Sequence, residues 1–199
     1  MSRPPADLSA ALSDLPGTFT LAEAAEAGLS RHGLYRLLDE GELMALRRGL
    51  YRRTDAAPVD LDLITAARAA PRATLCLATA LAHHGLSDAI PAAPDIALPR
   101  GTRAPAGAHA QWHFFAPETF DLGRGTLVLE VGTAIGLYSP QRCIIDAFRT
   151  RRTEGHELAI DALKEWLRQR GSQPSELMAF AAHWPRVLAP LRSALAILL

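Results

Sequence analysis

Leu21, Ala24 and Ala25 recur at three-to-four spacing, and after an interruption at Gly28 the same spacing returns in Leu34, Leu37 and Leu38. That period puts each set on one face of a helix. Residues 22–27 are good helix formers; Gly28 suits the left-handed residue that ends a helix, and Ser30 is a competent cap for the next one. The pattern then changes. Leu43, Met44, Leu46, Leu50 and Tyr51 are strand-type residues around Arg48-Gly49, which reads as a turn. Residues 6–15 form a preceding helix ended by Pro16-Gly17. Helix, Gly turn, capped helix and short hairpin follow the layout of a winged helix-turn-helix, placed at residues 1–56.

Downstream, 55–58 reads as a linker, 60–70 as an amphipathic helix stopped by Pro71, and 74–85 as an almost wholly apolar, buried helix. Residues 91–94 form a loop. Strands are expected at 95–98, 109–115, 126–131 and 134–138, with a Pro-, Gly- and Arg-rich loop over 99–107. Ser139-Pro140 opens a helix in the cap-then-proline order, with Ile144, Ile145 and Phe148 on its inner face. Three further helices are expected near 156–170, 174–182 and 185–198. The fold class is α+β: an N-terminal winged helix-turn-helix followed, over 59–199, by a mixed domain with a small sheet flanked by helices.

Charge sharpens the first segment. The chain of 199 residues has a formal net charge of zero. Yet residues 28–53 hold six arginines against three acids. Phosphate affinity follows local charge, so the neutral total does not argue against DNA. The second helix turns His32 and Arg36 outward with Tyr35 on the flank, and Arg31 lies in its first turn, where recognition helices meet base edges. Arginine pairs with guanine acceptors, while His and Tyr serve bases or phosphates. The hairpin adds Arg47, Arg48, Arg52 and Arg53. A helical hairpin for protein contact, with solvated arginines, is the alternative.

Other chemistry is thin. Cys76 and Cys143 sit in apolar helical contexts and read as buried, reduced thiols. Asp95 with Glu130-Val131-Gly132 resembles a nuclease metal site only loosely, because Gly132 stands where a lysine belongs; Asp95 is read as a strand cap. His83-His84 are adjacent helical residues about 100° apart and rarely chelate one ion. Arg100, Arg103, Arg142, Arg149, Arg151 and Arg152 form a second basic group, each read singly as a solvated side chain, though together able to make a patch. No apolar run reaches membrane-span length; the longest, 188–199, is interrupted by Pro190 and Arg192. With no signal-peptide pattern at the start, the chain is expected in the cytoplasm. No cofactor, metal or catalytic residue is assigned, and an enzyme is not expected.

The run "FTLAEAAEAGLSRHGLYRLLDEGELMALRRGLYRR" resembles the N-terminal winged helix-turn-helix of AbiEi-type antitoxins of type IV toxin–antitoxin systems. "LCLATALAHHGLSDAIPAAPDIALPRGTRAP" at 75–105 and "GLYSPQRCIIDAFRTRR" at 136–152 follow that family's pattern in the same order. No motif is matched beyond Glu154. The resemblance implies a DNA-binding N-terminal domain that represses its own operon, a C-terminal domain associated with antitoxicity, and a nucleotidyltransferase-type toxin as counterpart. It carries the DNA role to Ser30, Arg31, His32, Tyr35 and Arg36 on the recognition helix and to Arg47, Arg48 and Arg52 on the wing. A fragment ending near residue 58 is then expected to keep some DNA binding. The rival reading is a winged-helix regulator without a toxin, whose second domain answers a small ligand or a dimer partner.

Overall fold

Thr20 fixes where the first predicted helix begins. In a computed structural model describing residues 8–151 and 156–199, with side chains from residue 11, α1 spans Leu8–Ser13, β1 Thr18–Thr20 and α2 Leu21–Glu26. The Thr20 hydroxyl accepts from the Glu23 N–H at 3.2 Å while the Glu23 carboxylate accepts from the Thr20 N–H at 2.6 Å, a reciprocal capping box. Gly28, at φ +83°, reverses the chain. Ser30 then accepts from the Gly33 N–H at 3.0 Å and opens α3, Arg31–Asp39. Leu34 and Leu37 are buried with Ala11, Leu12, Leu15, Phe19, Ala24, Leu29 and Leu43, the core that three short helices need because none is stable alone. The expected helix over 6–15 starts partly outside the described residues.

Strands β2 (Leu43–Arg47) and β3 (Leu50–Arg53) form the expected hairpin, turning at Arg48-Gly49 with Gly49 at φ +78°. The register shifts between Ala45 and Arg47. On its other side β3 pairs antiparallel with β1, so the sheet has the order β1-β3-β2. The segment forming β1 was not read as a strand: three residues carry too little periodicity.

The helix α4 (Leu61–Ala69), capped by Asp60, packs against β2, and its Arg68 forms an ion pair with Glu23 of α2. Burial alone would raise the Glu23 carboxyl, but hydrogen bonds from Arg68 and Thr20 outweigh it and hold the group below its ordinary range. The first compact unit therefore runs to Pro71, past the division expected between 56 and 59, and gathers in Pro105–His109 and Val128–Ala134.

The second unit comprises Arg72–Ala104, Ala110–Leu127 and Ile135–Leu199. The chain continues as β4 (Thr74–Leu75), α5 (Leu77–His83), β5 (Asp95–Pro99), β6 (Gln111–Phe115), α6 (Pro117–Phe120), β7 (Arg124–Glu130) and β8 (Thr133–Tyr138). The helices α7 (Pro140–Thr150), α8 (His156–Arg168), α9 (Pro174–Ala181) and α10 (Pro185–Leu198) complete it. The strand order is β6-β5-β4-β8-β7, with β4 antiparallel to β5 and parallel to β8. A helix over 74–85 was expected; its first two residues are instead the central strand, Cys76 separates strand from helix, and Leu77, at φ +43°, begins α5. Backbone pairing with Ile96, Ala97, Gly136 and Leu137 overrides local helix preference there. Ser139 caps α7, and Ile144, Ile145 and Phe148 are buried as the pattern predicts. Among the described residues no helix is long and apolar enough to cross a membrane.

Candidate nucleic-acid interface

Burying Leu34 and Leu37 against the core leaves the opposite face of α3 in solvent. Ser30, Arg31, His32, Tyr35 and Arg36 are all exposed on it, Tyr35 by 55%. The Ser30 hydroxyl is committed to its capping bond, which orients the first turn carrying Arg31 and His32. Arg36 meets Glu40 one turn on at 3.3 Å. Both partners are more than 40% exposed, and such pairs are worth little, so Glu40 holds the Arg36 guanidinium only weakly.

On the wing, Arg48 is exposed at the turn, beside Gly49. Arg47 is half-buried; its Nε is shielded and unpartnered, and a Cβ built on Gly107 would lie 3.9 Å from the Arg47 Cβ, so the 105–109 segment borders the wing.

Arg52 does not join this surface. It is 4% exposed, and its guanidinium donates to the Thr18 hydroxyl at 2.7 Å, to the Glu130 carboxylate at 2.7 Å and to the Ala57 carbonyl at 2.5 Å. Alternation along β3 explains this. Arg52 is two residues from buried Leu50 and shares its inward face. That period was legible, but arginine content was read as surface charge. Arg53 is likewise engaged, holding Asp55 through two bonds and the Leu12 carbonyl through a third.

The other flagged residues are occupied within their own units. Asp95 accepts a 2.8 Å hydrogen bond from the His113 ring, and Glu130 holds Arg52. The His84 ring donates to the Tyr138 carbonyl at 2.7 Å, and burial pushes its pKa down. Cys76 and Cys143 are buried, and burial pushes both thiols well above their ordinary range, so neither is a thiolate nucleophile near neutral pH. Of the second basic group, Arg142 is wholly buried and Arg152 lies outside the described residues.

Residues 7–54 match the model of the family described as transcriptional regulator, AbiEi antitoxin. No curated protein matches the chain. Among solved structures, the crystal structure of the RV2827C protein from Mycobacterium tuberculosis is similar in fold, with a TM-score of 0.60 over 94% of this chain and 75% of its own, at 17% identity.

Proposed function

We propose, from the match of residues 7–54 to the family model described as transcriptional regulator, AbiEi antitoxin, that this protein is the antitoxin of a type IV toxin–antitoxin system. It binds double-stranded operator DNA to repress its own operon, and its second unit counteracts a nucleotidyltransferase-type toxin. The observation that carries the DNA reading is the outward face of α3. Arg31, His32, Tyr35 and Arg36 stand together there, free of the core, on a helix held by a cap and by the buried leucines behind it. Arg48 at the wing turn, with Arg47 beside it, supplies backbone contacts of the kind that position a reader on the duplex. Arg52 acts inside the fold and is left out of the contact set.

Fluorescence anisotropy on the DNA upstream of the gene tests the assignment. Arg31→Ala is expected to weaken operator binding by about 1–3 kcal/mol and to relax base preference. Arg48→Ala is expected to weaken all sequences alike and to flatten the salt dependence by about one unit. Binding by both variants equal to the parent's would remove α3 and the wing from the interface. Growth rescue tests the second half: co-expression with the product of the neighbouring gene should restore growth in both the parent and the Arg48 variant. A harmless neighbour, or no rescue at good expression, would sink the antitoxin assignment.

A further inference from the structure

In the second unit a cleft of about 740 Å³ opens where the end of α7 meets the start of α10. Arg149, Arg151, His183, Trp184, Arg186 and Val187 line it, and no acidic side chain does among the described residues. Its floor is Trp184, whose ring lies 4.6 Å from the guanidinium of Arg142 and 5.9 Å from that of Arg149. Arg142 and Arg149 share a single carboxylate, Asp146, at 2.8 and 2.5 Å. Arg151 donates to the Phe148 carbonyl at 2.6 Å, and Arg186 is exposed in the first turn of α10. Three arginines thus line the cleft, Arg149, Arg151 and Arg186, and of these Arg149 alone is paired with a carboxylate, that of buried Asp146.

Two further features point to an anion. The helix α10 is 14 residues long with Trp184 at its N-cap position and no side chain capping it; Pro185 has no N–H and the Val187 N–H donates to the Trp184 carbonyl at 2.9 Å, so its first turn leaves the Arg186 N–H to a ligand. Trp184, 8% exposed, has an indole N–H shielded from water and without a hydrogen-bond partner; the Nη2 of Arg142, wholly buried, is in the same state. Buried donors left unpaired are costly; of these two residues Trp184 lines the cleft, where an acceptor removes that cost for the indole.

We propose that this cleft binds a phosphate-bearing small molecule of about nucleotide size. Arg149, Arg151 and Arg186, the last with its backbone N–H as well, hold the phosphates, and the Trp184 indole gives a further donor. Guanidinium forks match phosphate oxygens in pairs, and the volume lies within the range of ligand pockets. All these residues belong to the second unit, so the proposal stands apart from the DNA reading.

Isothermal titration of the full chain with inorganic pyrophosphate, GTP and guanosine tests it. Pyrophosphate or GTP should bind saturably at one site per chain, and guanosine should not. Tighter binding of GTP than of pyrophosphate identifies a nucleotide; equal binding identifies the phosphates alone as the recognised group. Arg186→Ala, at an exposed position, and Arg151→Ala, at a half-buried one, should each weaken binding about tenfold, whereas Arg192→Ala, on another face of α10, should not. The proposal is overturned if neither phosphate compound gives saturable heat. It is equally overturned if the Arg186 and Arg151 variants bind as the parent does, or if Arg192→Ala weakens binding as much as they do.

Discussion

Asp146→Ala is expected to destabilise the second unit by about 3–5 kcal/mol, lowering its melting temperature by about 10 °C or more. Asp146 is wholly buried and is the carboxylate paired with Arg142, which is itself wholly buried. Arg142 also donates to the Thr119 and Leu122 carbonyls at 2.6 Å each and lies 4.2 Å from the Tyr138 ring. Removing the carboxylate leaves a guanidinium in the interior facing carbonyl dipoles and ring faces but no counter-charge. Replacing both partners by apolar residues, as in Arg142→Met with Asp146→Leu, should recover much of the loss, because no unpaired charge then remains buried. Calorimetry on the full chain gives the answer. A single Asp146 variant melting like the parent would show that the pair contributes nothing net.

A fragment ending at residue 58 is expected to lack a folded winged unit and to bind operator DNA far more weakly than the full chain. The expectation from sequence was the opposite. Arg52 is buried in that unit, and its carboxylate partner is Glu130, 78 positions along the chain. The fragment also loses α4, whose Arg68 pairs with Glu23 of the capping box. An unpaired buried arginine costs about 3–5 kcal/mol, a large share of a small domain's stability. In the full chain, Glu130→Ala should reproduce much of that cost and weaken DNA binding although Glu130 touches no DNA. Circular dichroism melts and anisotropy on the fragment, the variant and the parent decide the matter. A fragment that folds and binds like the full chain would remove Glu130 from the account.

What the sequence disclosed and what it hid divide along one physical line. The helix α3, the turn at Arg48-Gly49 and the start of α7 are local events: a cap three residues from its acceptor, a glycine at positive φ, a serine before a proline. Each is written in consecutive residues and was legible. The strand β4 and the role of Arg52 depend on partners far along the chain, and the burial of Arg142 depends on the distant Thr119 and Leu122 carbonyls as well as on its neighbour Asp146. Thr74 and Leu75 inside an apolar run look helical until Gly136 and Leu137 come alongside. Arg142 looks like surface charge until Asp146, one turn on, is seen to be buried with it. The exposure of Ser30, Arg31, His32, Tyr35 and Arg36 was legible from the helical period; the burial of Arg52 was not, because its charge was weighed and its strand position was not.

The hairpin of β7 and β8 also sets a schedule. The central strand β4 finds its parallel neighbour only in residues 136 and 137, and the winged unit receives Val128–Ala134 from the same hairpin. At about 5–20 residues per second, a ribosome takes on the order of ten seconds to go from Pro71 to Tyr138. Through that interval a nascent chain carries Arg52 without its counter-ion and the apolar face of α5 without its finished sheet. The first unit does not mature as residues up to Pro71 are completed; it waits for Val128–Ala134, made within the span of the second unit. The proposed DNA-binding activity is therefore expected to emerge late in synthesis, although α3 and the wing are among the first residues made.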